Sequence, residues 1–210
     1  DQVRQGLAET ERAGHRPFET MAARLVDAQA PAAAAAVRRL GHVVGVGPDW
    51  ADRLLGELGL LRLLTTAHDR LDDLPADLAA TVRTRIGFPV SREEVLATTA
   101  VRDHWQVLGQ TDSVEEKLVT RRTWLLGAGT GRYAVLLGFA PPGQAIPVEA
   151  VPGTHLEADL CFHPGTPSVR AVLATRHGTP QPVSSPTGAL DVPQALSLHA
   201  ALLAADPWWE

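Results

Sequence analysis

The hydrophobic periodicity of this chain changes once, between Ser91 and Val101, and this change limits the fold more than any other feature of the sequence. Before it, apolar residues recur at the three- and four-residue spacing of an amphipathic helix. After it, they alternate every second residue, as in a strand with one buried face. We therefore predict an α+β protein, with a helical domain at 1–98 and an antiparallel β-rich domain at 99–210.

Prolines mark the starts of the predicted helices. Pro17 and Pro31 suit the first turn of a helix, where the missing N–H removes no hydrogen bond. The short links favour antiparallel helical hairpins; a helical repeat array is the alternative, although no fixed-period signature is visible. The helices are predicted within 1–13 and at about 17–29, 31–44, 49–71 and 76–86, followed by a short helix that starts at the capping box Ser91–Glu94. The second of them has its apolar stripe at Phe18, Met21, Ala22, Leu25 and Val26.

The second half is predicted to form a small antiparallel sheet or an open barrel. Trp105 and Trp124 are expected to anchor its core, and Gly178–Gly188 reads as a loop or linker. A closing helix at 192–205 places Leu196 and Leu203 on one side. The strands are predicted at about 101–109, 118–126, 132–140, 155–163 and 169–176.

Charge and cysteine content narrow the function classes. Nineteen basic and 24 acidic residues give a formal net charge of −5, which argues against a dedicated nucleic-acid surface in this chain. No apolar run approaches the ~20 residues of a membrane span, so no membrane association is expected. The start, Asp1, has neither an initiator Met nor a signal-peptide pattern, so we expect a piece of a longer chain. The single cysteine precludes a disulfide framework, and a cytoplasmic location is expected.

Three glycines at Gly127, Gly129 and Gly131 resemble a nucleotide-binding loop only superficially. The dinucleotide fingerprint needs a different spacing and a following helix, whose N-terminal N–H groups hold the phosphates. Here a predicted strand follows. The glycines are therefore predicted to form the loop of a β-hairpin.

The most chemically suggestive segment is the strand from His155 to His163. His155, Glu157, Asp159, Cys161 and His163 share one face of that strand, and each of these residue types can bind a transition metal. The favoured interpretation is a polar, solvated sheet face with no metal. His155, Asp159, Cys161 and His163 remain the metal-ligand candidates, and no catalytic residue is assigned.

An enzyme is the alternative from another class. It would be metal-dependent on the His155–His163 strand, or thiol-dependent with Cys161 as nucleophile. No local signature surrounds this cysteine, and a buried free cysteine is the commoner state.

Two adjacent tryptophans, Trp208 and Trp209, stand at the end of the sequence. A helix that has already stopped cannot bury both, so at least one should dock on another segment or on a partner. We predict Trp208 and Trp209 as partner-binding residues.

Five stretches carry a family resemblance: Met21–Pro31, Trp105–Gly109, Arg121–Gly127, Gly131–Leu137 and Pro152–Thr154. On these stretches the chain resembles the region that follows the zinc finger in bacterial SWIM zinc-finger family proteins, and the match covers most of its length. The stretches are ordinary residue types and not a catalytic motif. The resemblance therefore identifies a family and implies no active-site residue.

The resemblance implies a zinc site outside this chain. The family's finger uses Cys-x-Cys followed by Cys-x-His, and Cys161-Phe-His163 matches only its second half. Zinc is thus expected only in a finger upstream of Asp1. The resemblance also implies protein partners, namely a MoxR-type AAA+ ATPase and a von Willebrand A-domain protein.

We therefore predict a non-enzymatic protein-interaction or scaffold region. Binding would use apolar grooves between helices or a sheet edge. An accessory region of a nucleic-acid-associated zinc-finger protein is the alternative within binding functions.

Overall fold

The computed structural model describes residues 6–115, 118–147, 150–184 and 191–208. The chain divides into two compact units: Asp1–Pro89 with Asp206–Glu210, the helical unit, and Val90–Ala205, the barrel unit. The α+β class is confirmed. The division lies before the predicted boundary at 98 because Val95, in the short helix after Ser91, packs with residues of the barrel unit.

Five α-helices lie in the described part of the helical unit: α1 (Leu7–Ala13), α2 (Arg16–Asp27), α3 (Pro31–Val43), α4 (Trp50–His68) and α5 (Ala76–Ile86). Pro17 and Pro31 occupy first-turn positions, as predicted. Gly87 ends α5 with a φ of 134°, a conformation that favours glycine. A Cβ at Gly87 would also lie 2.5 Å from Cδ of Pro31, so glycine allows the close approach of the two segments.

Two apolar clusters form the core of the helical unit. The buried apolar stripe of α2 is narrower than predicted. Only the residues that face α3 and α4 are covered, whereas Met21 and Val26 are exposed. The first cluster contains Phe18, Ala22, Ala34, Val37, Leu40 and Leu54. The second contains Ala30, Ala33, Leu64, Val82 and Ile86.

The barrel unit contains five strands: β1 (Val101–Glu115), β2 (Leu118–Gly127), β3 (Tyr133–Ala140), β4 (Thr154–Phe162) and β5 (Arg170–Pro182). They close in the order β1-β2-β3-β5-β4. All neighbouring pairs are antiparallel except β3 and β5, which run parallel over a short stretch. This is a five-stranded Greek-key barrel of the OB type. Among the described strands, β3 and β5 pair only at Val135–Leu136 with Arg170–Ala171, so the barrel closes over a short stretch, and docking along a sheet edge stays a prediction.

Two strands run further than predicted. Gly109 lies next to an irregularity in the pairing of β1 with β2 and does not end the strand, which continues through the β-prone residues Thr111 and Val114. Strand β5 continues through Gly178 to Pro182, into the segment predicted as a loop, because His177, Gln181 and Pro182 pair with β4.

Alternate residues of the strands fill the barrel. Trp105 is fully buried, as predicted, and its indole N–H donates to the carbonyl of Ala158 at 3.0 Å. The other core members include Val107, Leu125, Ala134, Leu136, Leu156, Leu160, Phe162 and Ala171.

Two helices complete the barrel unit: α6 (Arg92–Leu96) and α7 (Val192–Ala205). The predicted capping box of α6 is confirmed. The N–H of Glu94 donates to Oγ of Ser91 at 3.2 Å, and the N–H of Ser91 donates to the Glu94 carboxylate at 2.8 Å.

Candidate functional site

The alternation predicted for β4 is confirmed. Leu156, Ala158 and Leu160 are buried in the barrel, whereas His155 and Asp159 are only half-buried on its outer face. The alternation therefore placed His155 and Asp159 on the correct face of the strand.

These outward side chains have separate partners on the neighbouring strands. The Arg102 guanidinium binds the carboxylate of Glu157 at 2.6 Å, and the hydrogen bond lowers the pKa of that carboxyl. Asp159 binds Nε2 of His177 at 2.9 Å. The ring of His155 lies 6.3 Å from that of His104, centroid to centroid. The face is thus a row of distinct pairs and not a convergent set.

Cys161 is removed from that row because α6 covers it. The side chain is buried and packs with Val95 and Val172. Its Sγ lies 3.9 Å and 3.7 Å from the carbonyl oxygens of Leu96 and Thr98, at hydrogen-bonding range for sulfur. The thiol occupies an apolar packing position, the common setting of a structural cysteine.

His163 lies just beyond the end of β4. Burial, followed by the nearby charge of Arg170, lowers the pKa of His163 to about 4, so its imidazole is neutral at pH 7. The four metal-ligand candidates His155, Asp159, Cys161 and His163 are not brought together. Across the residues that the structure describes, no group of three or more His, Cys, Asp and Glu side chains could hold a metal ion. The single cysteine also means that this chain does not supply the ligands of a Cys-x-Cys…Cys-x-His finger.

The glycine-rich loop is the β2–β3 turn, and a carboxylate of the chain itself occupies it. Asp103 accepts hydrogen bonds from the N–H groups of Gly129 and Thr130, at 2.9 Å each, and from the Thr130 hydroxyl at 2.7 Å. A Cβ at Gly127 would clash with this carboxylate. The turn N–H groups that a phosphate would need are therefore already used, as expected for a hairpin loop. Asp103 itself was missed, since nothing in the sequence near it points to the turn.

Trp208 docks within the chain. Its indole N–H donates to the carbonyl of Leu60 at 3.0 Å, and its ring packs on the cluster that contains Leu64 and Val82. Asp206 accepts the Trp208 backbone N–H at 2.9 Å and lies 3.8 Å from Arg85. Trp208 thus docks on another segment of the chain, as expected of at least one of the two tryptophans, and its role in partner binding stays a prediction. Trp209 lies outside the described residues.

Helix α7 has an exposed surface of unusual composition. It contains no Asp, Glu, Lys or Arg, and none of its residues is buried. Val192 is 71% exposed, Leu196 63% and Leu203 39%. Asp191 caps its start by accepting the N–H of Gln194 at 2.8 Å. The sequence indicated the helix, but it did not show that the apolar side would remain uncovered.

A second unpredicted surface lies on the outer side of β2 and β3. Trp124 is opposite Val135, and Arg122 is opposite Leu137, in the strand register. The prediction that Trp124 anchors the core is wrong, because Leu125 occupies the fully buried position and Trp124 faces outward. We call this surface the aromatic face; it comprises Arg122, Trp124, Tyr133, Leu137 and Phe139.

Arginines border the aromatic face. Arg122 donates to Oγ of Ser113 at 2.9 Å. Arg170 is adjacent to Val135 in the parallel pairing of β5 with β3. Neither is ion-paired with a carboxylate in the described part of the chain, in contrast to Arg121, which binds Asp112 at 2.8 Å.

Comparison with models of protein families gives a match in the helical part of the chain. Residues 1–86 match the family model of the SWIM-associated four-helix bundle domain. The matched residues contain α1 to α5, and the match supports a SWIM-associated relationship for this part of the chain. No curated protein and no solved structure matches the chain.

Proposed function

We propose that this chain is a non-enzymatic protein-interaction region of a SWIM zinc-finger protein, and that α7 is its docking element. The match of residues 1–86 supports the relationship to SWIM-associated proteins. The zinc-binding finger of such a protein would lie outside this chain.

The observation that carries the proposal is the uncovered apolar surface of α7. Val192, Leu196 and Leu203 lie at i, i+4 and i+11, with His199 between them at i+7, and so form one stripe along the helix. Each Å² of apolar surface that stays exposed to water costs about 25 cal/mol of free energy relative to the same surface when buried. A helix with such a stripe and no charged residue suits insertion into an apolar groove of a protein partner.

A membrane is a poorer fit for α7 than a protein groove. Among the described residues, no helix is long and apolar enough to cross a bilayer. Helices that lie on a membrane surface combine an apolar face with Lys and Arg on the other side, and α7 has neither residue.

The resemblance to bacterial SWIM zinc-finger proteins supplies the proposed partners, a MoxR-type AAA+ ATPase and a von Willebrand A-domain protein. Binding of either would be stoichiometric and would leave both proteins chemically unchanged. The region would thus act as a scaffold.

The test is calorimetric titration of the purified chain with each of these two proteins, purified from the same source. Leu196→Glu combined with Leu203→Glu should weaken binding at least tenfold, because it places two charges in the apolar stripe. Gln194→Glu is the matched control, since it adds a charge to the same helix away from the stripe, and it should leave binding within about twofold. Equal binding by wild type and the double variant would contradict the proposal.

A further inference from the structure

We infer that His15 and His42 chelate a zinc ion, which ties the start of α2 to the end of α3 in the helical unit. This inference goes beyond the proposed function and does not involve α7. It also differs from the expectation that zinc lies only in a finger outside this chain.

The first argument is the spacing of the two imidazole rings, whose centroids lie 5.3 Å apart. Zinc binds an imidazole nitrogen at about 2.0–2.1 Å, which puts the ion about 3.2 Å from the centre of the ring. In tetrahedral geometry, two rings on one zinc ion therefore have their centroids about 5.2 Å apart. A square-planar Cu²⁺ ion would bring them to about 4.5 Å. The observed spacing fits a tetrahedral ion.

The second argument is that both rings are open. His15 and His42 are exposed, and neither forms a hydrogen bond or an ion pair within the described part of the chain. By contrast, His177 binds the carboxylate of Asp159, and His163 is partly buried. A metal ligand needs a ring nitrogen with a free lone pair. The pair in the helical unit meets this requirement.

The backbone holds both histidines in place. The carbonyl of His15 accepts the N–H groups of Phe18 and Glu19, at 3.1 Å each, so His15 is fixed to the first turn of α2. His42 lies in the last turn of α3. Leu40 in the same turn shares a buried cluster with Phe18. The two ligands thus sit on packed helices, and little ordering of the backbone is needed when the ion binds.

Gly41 lets the ring of His15 approach α3 closely. A Cβ at Gly41 would lie 2.9 Å from Nδ1 of His15, closer than side chains normally allow. Nδ1 is therefore turned against α3, and Nε2 on the far side of the ring is the nitrogen left to bind the metal. An ion pair between Glu19 and Arg38, at 3.5 Å, links the same two helices one turn further along.

The ligand type and the nearby charge select the kind of ion. Imidazole suits Zn²⁺, whereas Mg²⁺ and Ca²⁺ prefer oxygen ligands. Glu11 adds a negative charge near the end of α3, with its carboxylate 3.8 Å from the position that a Cβ of Gly45 would take. Because no group of three such side chains converges among the described residues, water fills the other coordination positions.

A second histidine pair gives an internal comparison. The ring centroids of His104 and His155 lie 6.3 Å apart, with the rings edge to face at 75°. This separation is about 1 Å greater than that of two rings on one tetrahedral zinc ion. We therefore expect no chelation by this pair, and His104 provides a control.

Isothermal titration calorimetry of the untagged, EDTA-treated full chain with ZnCl₂ at pH 7.5 measures the binding. We expect one site with a Kd of about 1–100 µM, weaker than a four-ligand structural site because the protein supplies two ligands. MgCl₂ should show no binding. Zinc should also raise the urea midpoint of unfolding, because the ion binds the folded chain.

Two variants locate the site. His15→Ala and His42→Ala should each weaken zinc binding at least tenfold, because a single remaining imidazole cannot chelate. His104→Ala is the matched control, since it removes another exposed histidine of a ring pair, in the barrel unit, and it should leave the Kd within about twofold. Circular dichroism of each variant checks that it is folded.

Each outcome decides the inference. A single zinc site that both His15→Ala and His42→Ala weaken supports it. No binding at up to about 1 mM ZnCl₂ overturns it, and the rings are then an aromatic contact alone. Binding that only one of these variants changes, that neither changes, or that His104→Ala weakens also overturns it, because the ion is then held elsewhere. None of these results depends on α7, so failure here leaves the proposed function to its own test.

Discussion

Asp103→Ala should lower the free energy of unfolding of the barrel unit by about 2–4 kcal/mol. The carboxylate is 8% exposed and accepts four hydrogen bonds, from the N–H groups of His104, Gly129 and Thr130 and from the Thr130 hydroxyl. Each hydrogen bond to a charged group contributes about 1.5–3 kcal/mol. The expected loss of stability is smaller than the sum of four such bonds because Gly129 and Thr130 are exposed. Water can therefore hydrogen-bond to their donor groups when the carboxylate is removed.

Urea denaturation, followed by tryptophan fluorescence and circular dichroism, measures this effect. Asp112→Ala is the control on the same strand. Its ion pair with Arg121 is exposed, so its removal should cost clearly less than the removal of the Asp103 carboxylate. If Asp103→Ala costs no more than Asp112→Ala, the carboxylate does not hold the β2–β3 turn and the reasoning fails.

The same carboxylate makes a prediction about acid. Burial acts to raise the pKa of Asp103, but the hydrogen bonds from Thr130, Gly129 and His104 outweigh it and hold that pKa below its usual value. The contribution of Asp103 to stability is therefore complete above the unfolded pKa of about 4 and is lost as the pH falls through the lower folded pKa. The stability difference between wild type and Asp103→Asn should shrink over that window.

Three other predictions concern stability. Trp208→Ala should destabilise the helical unit by about 2–4 kcal/mol in urea denaturation, because it removes a packed ring and the hydrogen bond to Leu60; a loss below about 0.5 kcal/mol would mean that the ring is not docked. His163 has a folded pKa of about 4 against about 6.5 unfolded, so the stability of the barrel unit should fall as the pH falls from about 6.5 to 4. His163→Gln should flatten the pH profile in that window, and an unchanged profile would show that the imidazole titrates normally. Ser91→Ala should cost about 0.5–2 kcal/mol by removing the cap of α6, whereas no change would mean that the box contributes nothing.

Local patterns in the sequence were sufficient for most of the elements. The change from helical to alternating periodicity gave the α+β class, prolines gave the starts of α2 and α3, and Ser91 with Glu94 gave the start of α6. Alternation also placed the outward residues of β4 on the correct face. These features depend on residues close together in the chain, and local preferences determine them.

Features that depend on distant residues could not be predicted in this way. Closure of the barrel needs β5 to pair with both β3 and β4, and no local pattern encodes that pairing. Burial of Cys161 depends on α6 packing over β4, and the docking of Trp208 depends on Leu60, far away in sequence. Trp124 was assigned to the wrong face because a large apolar residue can occupy either face of a strand. The assignment depends on which of Trp124 and Leu125 fills the barrel core, and the structure places Leu125 there.

Hydrogen–deuterium exchange of α7, measured with and without a saturating amount of the ATPase or the A-domain protein, tests the central claim most directly. The account predicts that amides within Val192–Ala205 exchange at least tenfold more slowly in the complex, because the helix is held in a groove of the partner. Amides of α4 should be unchanged. A complex that forms with no added protection in α7 would contradict the claim that this helix is the docking element.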